Sequence, residues 1–440
     1  MSYIKQLAKK IIYWCFGFVS FFKLKVNSTT NTYRYLLYLS YFNKKVFIKT
    51  KKRIEQQNIA RIAKEKKLKI GFVTYTPTMW SLEGLYQKLD SNPNCDVNMI
   101  ISRFGTSYNE DMNRNFTEAF NYFTKEGKKC IPVTKKTDFS SYDILFYMTP
   151  YQFFYKNINI KNIQLKTLTC YVAYSFTLSN KIQKLFLPLY YLSWQFFADS
   201  LFYKKIIETH SHVYSGNAVY CGYPRMDTFF SVPSTTKNNT NKKVIIFAPH
   251  HSISTKGAIK FSTFNKNYKF MLEIAKKYAD TTYWVYKPHP LLAEHSIQAG
   301  IFKNHDEYIQ YEQSWSNLNN AEVSSQSTYF DIFKKSSAMI TDSVSFLAEY
   351  QYVGNPLLLL TRKEACYNSF GNAITDVLYK CKGEDLSSIE EFVQMIIANK
   401  DPMKEKRKKF FDENLNYYKH NSLLANDYIY SLLENKFQFK

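Results

Sequence analysis

The sequence is poor in the residues that mark several common classes of protein. Its 440 residues include only 12 glycines and 12 prolines, which excludes collagen-like chains and proline-rich chains of low complexity. Seven cysteines are scattered along the chain without a Cys-x-x-Cys pair, so neither a zinc site nor a disulfide framework is indicated. This usage of cysteine is typical of a reducing compartment, and we expect the protein in the cytoplasm.

Common motifs for nucleotide and metal binding are also missing. The chain contains no Gly-x-Gly sequence, which argues against the usual dinucleotide-binding loop, and no Walker A motif. It contains no Asp-x-Asp pair, so the metal-bridged diphosphate site of many sugar transferases lacks its usual ligands. Its eight histidines do not follow the spacing His-Glu-x-x-His. We therefore expect no metal and no bound cofactor.

Positive charge and apolar side chains are abundant. Lys and Arg total 59 against 36 Asp and Glu, which gives a net charge of +23, and 45% of the residues are hydrophobic. The apolar fraction suffices for sizeable cores, and the length predicts two or three domains. The charge indicates an anionic partner, which is nucleic acid, an acidic membrane surface or a phosphate-bearing substrate.

The first 67 residues combine an apolar, aromatic-rich run over residues 11–22 with many basic residues. As a helix the run is about 18 Å long, too short for the roughly 30 Å of a bilayer core. A signal peptide fits the charge and length, but the VNSTTN that follows is a poor cleavage site. A buried first helix is another alternative. We favour an interfacial anchor that holds the protein peripherally on the inner face of the cell membrane through anionic lipid.

A second apolar run, residues 185–203, is long enough to consider as a membrane span. It contains Pro188, Gln195 and Asp199, and it lies between apparent strands. We therefore interpret it as a buried helix or as an apolar surface on the acceptor side.

Strand and helix patterns alternate in two series, over residues 69–221 and 244–360, and the polar stretch 231–243 between them is the best linker. These patterns predict an α/β protein of GT-B architecture, in which two Rossmann-like domains face a cleft. The expected parts are a helical membrane-associating extension (1–67), an acceptor domain (68–230), the linker, a nucleotide-donor domain (244–400) and a helical tail (401–440).

Two strand ends in the second series carry candidate histidines. His250 and His251 follow the strand over 244–248 in the sequence APHHS, and Lys287 and His289 follow the strand over 282–286 in YKPHPLL. Residues at the carboxyl ends of parallel strands point into the crevice where α/β proteins bind ligands. Histidine at such a position acts as a general base or binds phosphate, although either motif alone is also typical of solvated loops.

A third strand end begins a helix in the sequence ITDSVSFLAEY. Thr341 ends the strand, and Asp342, Ser343 and Ser345 precede or begin the helix, whose free amides would bind an anion. Glu349 lies four residues after Ser345 on the same helix face, where its carboxylate can accept hydrogen bonds from a ribose. A capped helix that binds nothing is the alternative. Together, the three strand ends predict a pocket for a nucleotide mono- or diphosphate donor.

In this order the motifs resemble those of the CDP-glycerol glycerophosphotransferase family, which builds teichoic-acid-like polymers in bacterial envelopes and capsules. The resemblance covers most of residues 68–365. The sequence GYPRMD at residues 222–227 is similar to a family element, and it is followed by the APHHS strand, the His289-Pro290 pair and the TDSVS helix start. For such a donor, we expect Lys287, His289 and Arg225 to neutralise the phosphates and His251 to contribute to donor binding.

The chain departs from the family at one element. A Trp-His-Gly sequence in the N-terminal half supplies a catalytic base in better-known members, whereas the corresponding residues here, CYVAYSF over 170–176, contain no histidine. We therefore expect His250, or alternatively His251, to take the proton from the acceptor hydroxyl, and His289 to act beside it. His210 and His212 are weaker candidates for the base.

The resemblance implies a transferase that moves glycerophosphate from CDP-glycerol or a related CDP-alditol to a polysaccharide, teichoic-acid-like or lipid-linked acceptor and releases CMP. The alternative is a CMP-sugar transferase for sialic acid or Kdo, which the His-Pro and serine arrangement also resembles. A non-enzymatic nucleic-acid-binding protein would also use the +23 charge, but the chain has no recognised nucleic-acid module, and we expect no such partner.

Overall fold

A computed structural model describes residues 43–105, 108, 110–163, 165–180, 187–210, 215–231, 241–254, 259–324 and 329–439. The described residues divide into two compact units. The first lies within Met1–Ser175, Ile182–Arg225 and His420–Lys440, and the second within Phe176–Lys181 and Met226–Lys419. The apolar run 11–22, which we expect to anchor the protein, and most of the expected linker lie outside the described residues.

The first unit is built on a parallel sheet whose described strands run in the order β3-β2-β1-β4-β5-β6-β7. Its central strands are buried runs of branched and aromatic residues, as expected for a parallel sheet covered on both faces. The strands are β1 Leu68–Thr74, β2 Cys95–Ile101, β3 Cys130–Pro132, β4 Ile144–Tyr147, β5 Leu168–Val172, β6 Gln195–Ala198 and β7 Ala218–Tyr220.

The described helices of this part of the chain are α1 Lys44–Ile62, α2 Glu83–Asp90, α3 Glu110–Lys125, α4 Ile160–Ile163, α5 Pro188–Leu192 and α6 Leu201–His210. The basic helix α1 belongs to the first unit and packs against the rest of it. Phe47 and Ile62 are buried on its inner face. Asn58 donates to the carbonyl of Leu165, and Arg61 forms an ion pair with Asp143 at 2.9 Å.

Of the two interpretations of residues 185–203, the one as a single buried helix is wrong. The described part of this run forms α5, β6 and the start of α6. Pro188 lies in the first turn of α5, where its missing N–H leaves no helical hydrogen bond unmade. The aromatic residues of β6 are buried between neighbouring strands, and a buried strand has the same continuous apolar pattern as a buried helix.

The second unit is built on a second parallel sheet, whose described strands run in the order β10-β9-β8-β11-β12-β13. The strands are β8 Lys243–Ala248, β9 Thr282–Tyr286, β10 Ala321–Val323, β11 Ala338–Thr341, β12 Leu357–Thr361 and β13 Tyr379–Lys382. The described helices that follow α6 are α7 Thr228–Ser231, α8 Phe264–Lys277, α9 Leu292–Gln298, α10 His305–Ser316, α11 Phe330–Lys335, α12 Phe346–Glu349, α13 Ser369–Thr375, α14 Leu386–Ile397, α15 Lys404–Asn414 and α16 Tyr417–Asn421.

The predicted helical tail is present, and its last helix, α17 Ala425–Phe437, packs in the first unit. The side chain of Asn426 accepts a hydrogen bond from the backbone of Leu85 at 3.1 Å. Ile429 and Leu433 are buried in the hydrophobic core of this unit. In the part of the chain that the structure describes, no helix has both the length and the apolar composition needed to cross a bilayer.

Candidate active site

The predicted site residues cluster at the carboxyl edge of the second sheet. The order of its strands reverses between β8 and β11, and ligands of open α/β sheets bind in the crevice at such a switch point. The strand ends that carry candidate residues are those of β8 (His250, His251), β9 (Lys287, His289) and β11 (Asp342, Ser343).

The structure brings the three predicted histidines into one cluster and adds a fourth. The ring centroids of His250 and His251 are 4.3 Å apart, and those of His251 and His289 are 4.2 Å apart. His295 of α9 joins the cluster at 4.8 Å from His251. His295 was not predicted from the sequence, because it lies within a helix and follows no strand directly.

The predicted histidines are neutral at physiological pH. Burial, with smaller contributions from the neighbouring histidines, lowers the pKa of His250 well below its usual value. Burial, with a smaller contribution from His295, lowers the pKa of His251 to about 4. Burial, with smaller contributions from neighbouring histidines and Lys287, lowers the pKa of His289 to about 3. A neutral imidazole carries one proton, so its hydrogen bonds determine which ring nitrogen is the donor.

Backbone amides determine this assignment for two of the rings. The Nδ1 of His250 accepts the N–H of Ser252 at 3.2 Å, and the Nδ1 of His289 accepts the N–H of Leu291 at 3.1 Å. Because each Nδ1 uses its lone pair as an acceptor, the proton of each neutral ring is on Nε2. Both rings are therefore arranged as Nε2–H donors.

The hydrogen bonding suits an anion better than a metal ion. Ligand atoms of His250, His251 and His289 all lie within 4.8 Å of one another, close enough for a single ion. A metal-binding histidine normally donates its other N–H to an acceptor and offers a lone pair to the metal. Here the Nδ1 atoms of His250 and His289 accept hydrogen bonds instead. That the site works without a metal stays a prediction, and this arrangement is the reason we retain it.

Asp342 and Thr341 connect the strand ends rather than facing a ligand. Burial raises the pKa of Asp342 to about 6. Its carboxylate accepts the backbone N–H of His250 at 2.6 Å and the hydroxyl of Thr263 at 2.9 Å. The Thr341 hydroxyl donates to Ala248 O and accepts the N–H of Ser343 at 2.9 Å. The Ser343 amide, which we expected to bind phosphate, therefore already has a partner.

The carboxylate of Glu349, which we expected to bind a ribose, instead forms a hydrogen bond within the second unit. Ser345 is the N-cap residue of α12, which spans only four residues. Glu349 is 1% exposed, and its carboxylate accepts the hydroxyl of Tyr329 at 2.6 Å. The ammonium of Lys287 lies 5.2 Å from the centre of the Tyr329 ring. Glu349 is thus buried against Tyr329, not exposed at the crevice as the sequence-based hypothesis requires.

The remaining candidates lie elsewhere. Arg225 belongs to the first unit, where its guanidinium donates to the carbonyl of Thr78 at 3.2 Å. His210 ends α6, but its side chain lies outside the described residues, as does all of His212.

Arg362 was not identified from the sequence, although it directly follows β12. Its guanidinium donates to the carbonyls of Ser252, Ile253 and Ser262 at 3.3, 2.9 and 3.2 Å. It therefore holds the chain that follows the histidines of β8. The signal that could have found it, a basic residue at a strand end, is the one that pointed to Lys287.

The first unit has a cavity of its own at the ends of β2 and β4, with a volume of about 390 Å³. The hydroxyl of Tyr147 donates to Ile158 O at 2.7 Å, and both ends of the Asn159 amide bond to the backbone of Phe153. These polar groups are thus used within the protein. The lining residues are Phe104, Gly105, Tyr147, Pro150, Tyr151, Gln152, Phe153, Asn159, Ile160, Leu187, Pro188 and Leu189.

Solved structures of several enzymes have the same fold as the chain. It is similar to the UDP-GlcNAc 2-epimerase of Neisseria meningitidis (16% identity, TM-score 0.52, 84% of this chain and 100% of that chain). It is similar to S. aureus MnaA solved with UDP (15% identity, TM-score 0.51, 86% of this chain and 98% of that chain). It is also similar to the wall teichoic acid polymerase TagF (12% identity, TM-score 0.50, 97% of this chain and 98% of that chain). These matches confirm the predicted GT-B class.

Comparison by sequence identifies the family. No curated protein sequence matches the chain significantly. The sequence profile described as CDP-Glycerol:Poly(glycerophosphate) glycerophosphotransferase matches residues 164–435, more than half of the chain. This match favours a CDP-glycerol donor over the alternative CMP-sugar donor. The chain is therefore an enzyme that belongs to the CDP-glycerol:poly(glycerophosphate) glycerophosphotransferase family.

Proposed function

We propose that the histidine cluster of the second unit holds the diphosphate of CDP-glycerol through its Nε2–H groups. The observation that carries this proposal is the pair of backbone amides that leave His250 and His289 with their protons on Nε2. His250 follows β8 at the switch point of the sheet, where α/β proteins bind nucleotides, and His289 follows the neighbouring strand β9. TagF, which has a similar fold, has been solved after a soak with CDPG.

In the proposed reaction, an acceptor hydroxyl attacks the β-phosphorus of CDP-glycerol. A new phosphorus–oxygen bond forms and the bridging bond to the α-phosphate breaks. CMP leaves with the electron pair, and the proton of the acceptor hydroxyl passes to the departing CMP phosphate. Preformed N–H donors stabilise the charge that develops on the phosphoryl oxygens. His250 would act as one of these donors, in place of the proton acceptor expected from the sequence, because its Nδ1 lone pair is already used by Ser252.

Calorimetric titration of the full chain with CDP-glycerol and with cytidine tests this proposal. His289→Ala should weaken the binding of CDP-glycerol at least tenfold and leave the binding of cytidine unchanged, because the lost group faces the diphosphate. His305→Ala is the matched control, since the side chain of His305 is 65% exposed. Unchanged affinity of His289→Ala for CDP-glycerol would refute the proposal.

We further propose that the acceptor is lipid-linked and that its hydrocarbon chain enters the cavity of the first unit. The described lining contains no charged residue, so the cavity suits an uncharged group better than a polyanion. Each buried methylene contributes about 0.8 kcal/mol, so the KM of alkyl-bearing acceptors should fall about threefold to fourfold per added carbon.

A charge placed in the cavity provides the test. Leu187→Asp should abolish the dependence of KM on chain length, because an ionised carboxylate disfavours hydrocarbon. Leu201→Asp is the control, since Leu201 is 39% exposed and does not line the cavity. If Leu187→Asp instead impairs soluble acceptors that bear sugars and no alkyl chain, the cavity binds a sugar and the proposal is wrong.

We also propose that the protein binds anionic membrane surfaces through α1. Four basic residues are exposed on this helix: Lys45, Lys49, Lys52 and Arg53. The opposite face of the helix packs on the rest of the first unit. Each basic residue near an anionic leaflet contributes about 1 kcal/mol to binding, and salt screens this attraction.

Sedimentation with phosphatidylserine vesicles tests this role. Replacing the four residues with Glu should release the protein from the vesicles. The control variant, Lys408→Glu with Lys409→Glu at exposed positions of α15, should stay bound. Retention of the α1 variant on the vesicles would contradict this role.

A further inference from the structure

His295 forms a hydrogen bond that determines the protonation of His251. The Nδ1 of His295 lies 3.0 Å from the carbonyl oxygen of His251 and 2.9 Å from the Nδ1 of the same residue. A carbonyl oxygen has no proton to donate, so the proton in this contact belongs to Nδ1 of His295. The same N–H faces Nδ1 of His251, which must then be the acceptor.

This contact gives His251 the same arrangement as its neighbours by a different route. His250 and His289 each accept a backbone N–H at Nδ1, whereas His251 accepts a side-chain N–H. The proton of neutral His251 is consequently also on Nε2. Without His295, the proton of His251 could move to Nδ1, and the ring would then present a lone pair on Nε2, which repels an anion.

We propose that His295 is a positioning residue that makes His251 the third N–H donor to the donor diphosphate. This inference rests on the proposed function, because it concerns the same group of histidines. His295 lies on α9 and acts through its contact with His251, which leaves the Nε2–H of His251 available for the phosphate. The loss of one such donor from a site that stabilises developing charge commonly slows turnover roughly 100-fold, and the loss of its positioning partner should cost about tenfold.

Two substitutions separate the hydrogen bond from simple occupation of space. The amide N–H of Asn reaches the position of a histidine Nδ1–H, so His295→Asn retains the donor, whereas His295→Leu removes it. We expect kcat/KM for CDP-glycerol to fall about tenfold in His295→Leu and to stay within about threefold of wild type in His295→Asn. In the double variant with His251→Gln, whose amide mimics the Nε2–H, His295→Leu should cause no further loss. A folded His295→Leu protein of wild-type activity, or an equal loss in both His295 variants, would overturn the proposal.

Nitrogen NMR of the histidine rings in the full chain provides a readout that does not depend on turnover. Wild type should show His251 protonated on Nε2, and His295→Leu should show a mixture of the two tautomers. A wild-type signal from His251 protonated on Nδ1 would refute the inference even if the cluster binds the diphosphate. Conversely, normal binding of CDP-glycerol by His289→Ala would refute the proposed function and leave this tautomer assignment intact, so the two failures are distinguishable.

Discussion

The carboxylate of Asp342 lies 2.6 Å from the backbone nitrogen of His250, and this hydrogen bond joins the ends of β11 and β8. Its other oxygen accepts the N–H and the hydroxyl of Thr263, at the start of α8. One buried acidic group therefore fixes the chain that carries the first two histidines of the cluster relative to the neighbouring strand and helix.

Replacing this carboxylate should impair both folding and turnover. In Asp342→Asn an NH2 group replaces one acceptor oxygen, so at least one buried donor of His250 or Thr263 loses its partner. We expect the free energy of unfolding to fall by about 1–3 kcal/mol and CMP release to fall at least tenfold. Asp376→Asn, at a side chain that is 71% exposed, is the control. Urea denaturation and a CMP assay measure the two effects, and wild-type values for Asp342→Asn would show that the carboxylate has no such role.

His289 should be needed for its Nε2–H and not for its basicity. We expect His289→Ala to lose about 100-fold in kcat, because a donor to the transition state is removed. His289→Gln should retain more of the wild-type kcat than His289→Ala, since its amide N–H reaches the position of the Nε2–H. The steady-state rate of CMP release at pH 7.5 measures both variants. An equal loss in both, in proteins with wild-type circular dichroism, would favour a role for His289 as a proton acceptor.

The pKa of His289 predicts how stability changes with pH. This pKa is about 3 in the folded protein, against about 6.5 in an unfolded chain. Between these values the unfolded state binds more protons, so stability falls as the pH falls below 6.5 and is unaffected above pH 7. From pH 7 to pH 5, wild type should lose about 2 kcal/mol more than His289→Asn in urea denaturation. Equal losses of stability would show that His289 has the same pKa in the folded protein as in the unfolded chain.

Activity should survive removal of divalent metal ions. The Nδ1 atoms of His250 and His289 accept hydrogen bonds, which leaves N–H groups and not lone pairs on Nε2. Treatment with EDTA, followed by gel filtration into metal-free buffer, should leave CMP release unchanged. Loss of activity that magnesium or manganese restores would contradict the assignment of these histidines as donors to phosphate.

Two truncations should behave differently because α1 is part of the first unit. Removal of residues 1–42 leaves α1 in place, and we expect wild-type CMP release with a water-soluble acceptor. Removal of residues 1–67 exposes the partners of Phe47 and Ile62, which are at most 1% exposed, and should destabilise the first unit by about 3–6 kcal/mol. Thermal unfolding of both proteins measures this. If both truncated proteins unfold at the same midpoint temperature, α1 does not stabilise the first unit. That result is expected if the folded domain begins at residue 68.

Much of the fold could be predicted because buried parallel strands have a clear pattern. The predicted strand over 282–286 coincides with β9, and the predicted strand over 244–248 lies within β8. The edge strands β10 and β13 were not predicted, since they are short and only partly buried. β6 was not predicted because its aromatic residues continue the apolar pattern of the helix before it.

The grouping of the site histidines could be predicted for a geometric reason. His250, His251 and His289 follow adjacent parallel strands, and the ends of such strands meet at one edge of the sheet. The interactions of Asp342 and Glu349 could not be predicted in this way. Their partners Thr263 and Tyr329 come from segments distant in the sequence, and no periodicity indicates which hydrogen bonds a buried side chain will form.

A panel of donors, assayed for CMP release and for the transferred group, tests whether the chain transfers glycerophosphate from CDP-glycerol. The full chain is incubated with a teichoic-acid-like acceptor and CDP-glycerol, CDP-ribitol, CMP-sialic acid or CMP-Kdo, and products are analysed by mass spectrometry. We expect CMP release from CDP-glycerol that depends on acceptor, with a mass increase of one glycerophosphate, and a strong reduction in His289→Ala but not in His305→Ala. Release of CMP from a CMP-sugar alone, with transfer of the sugar, would contradict the account.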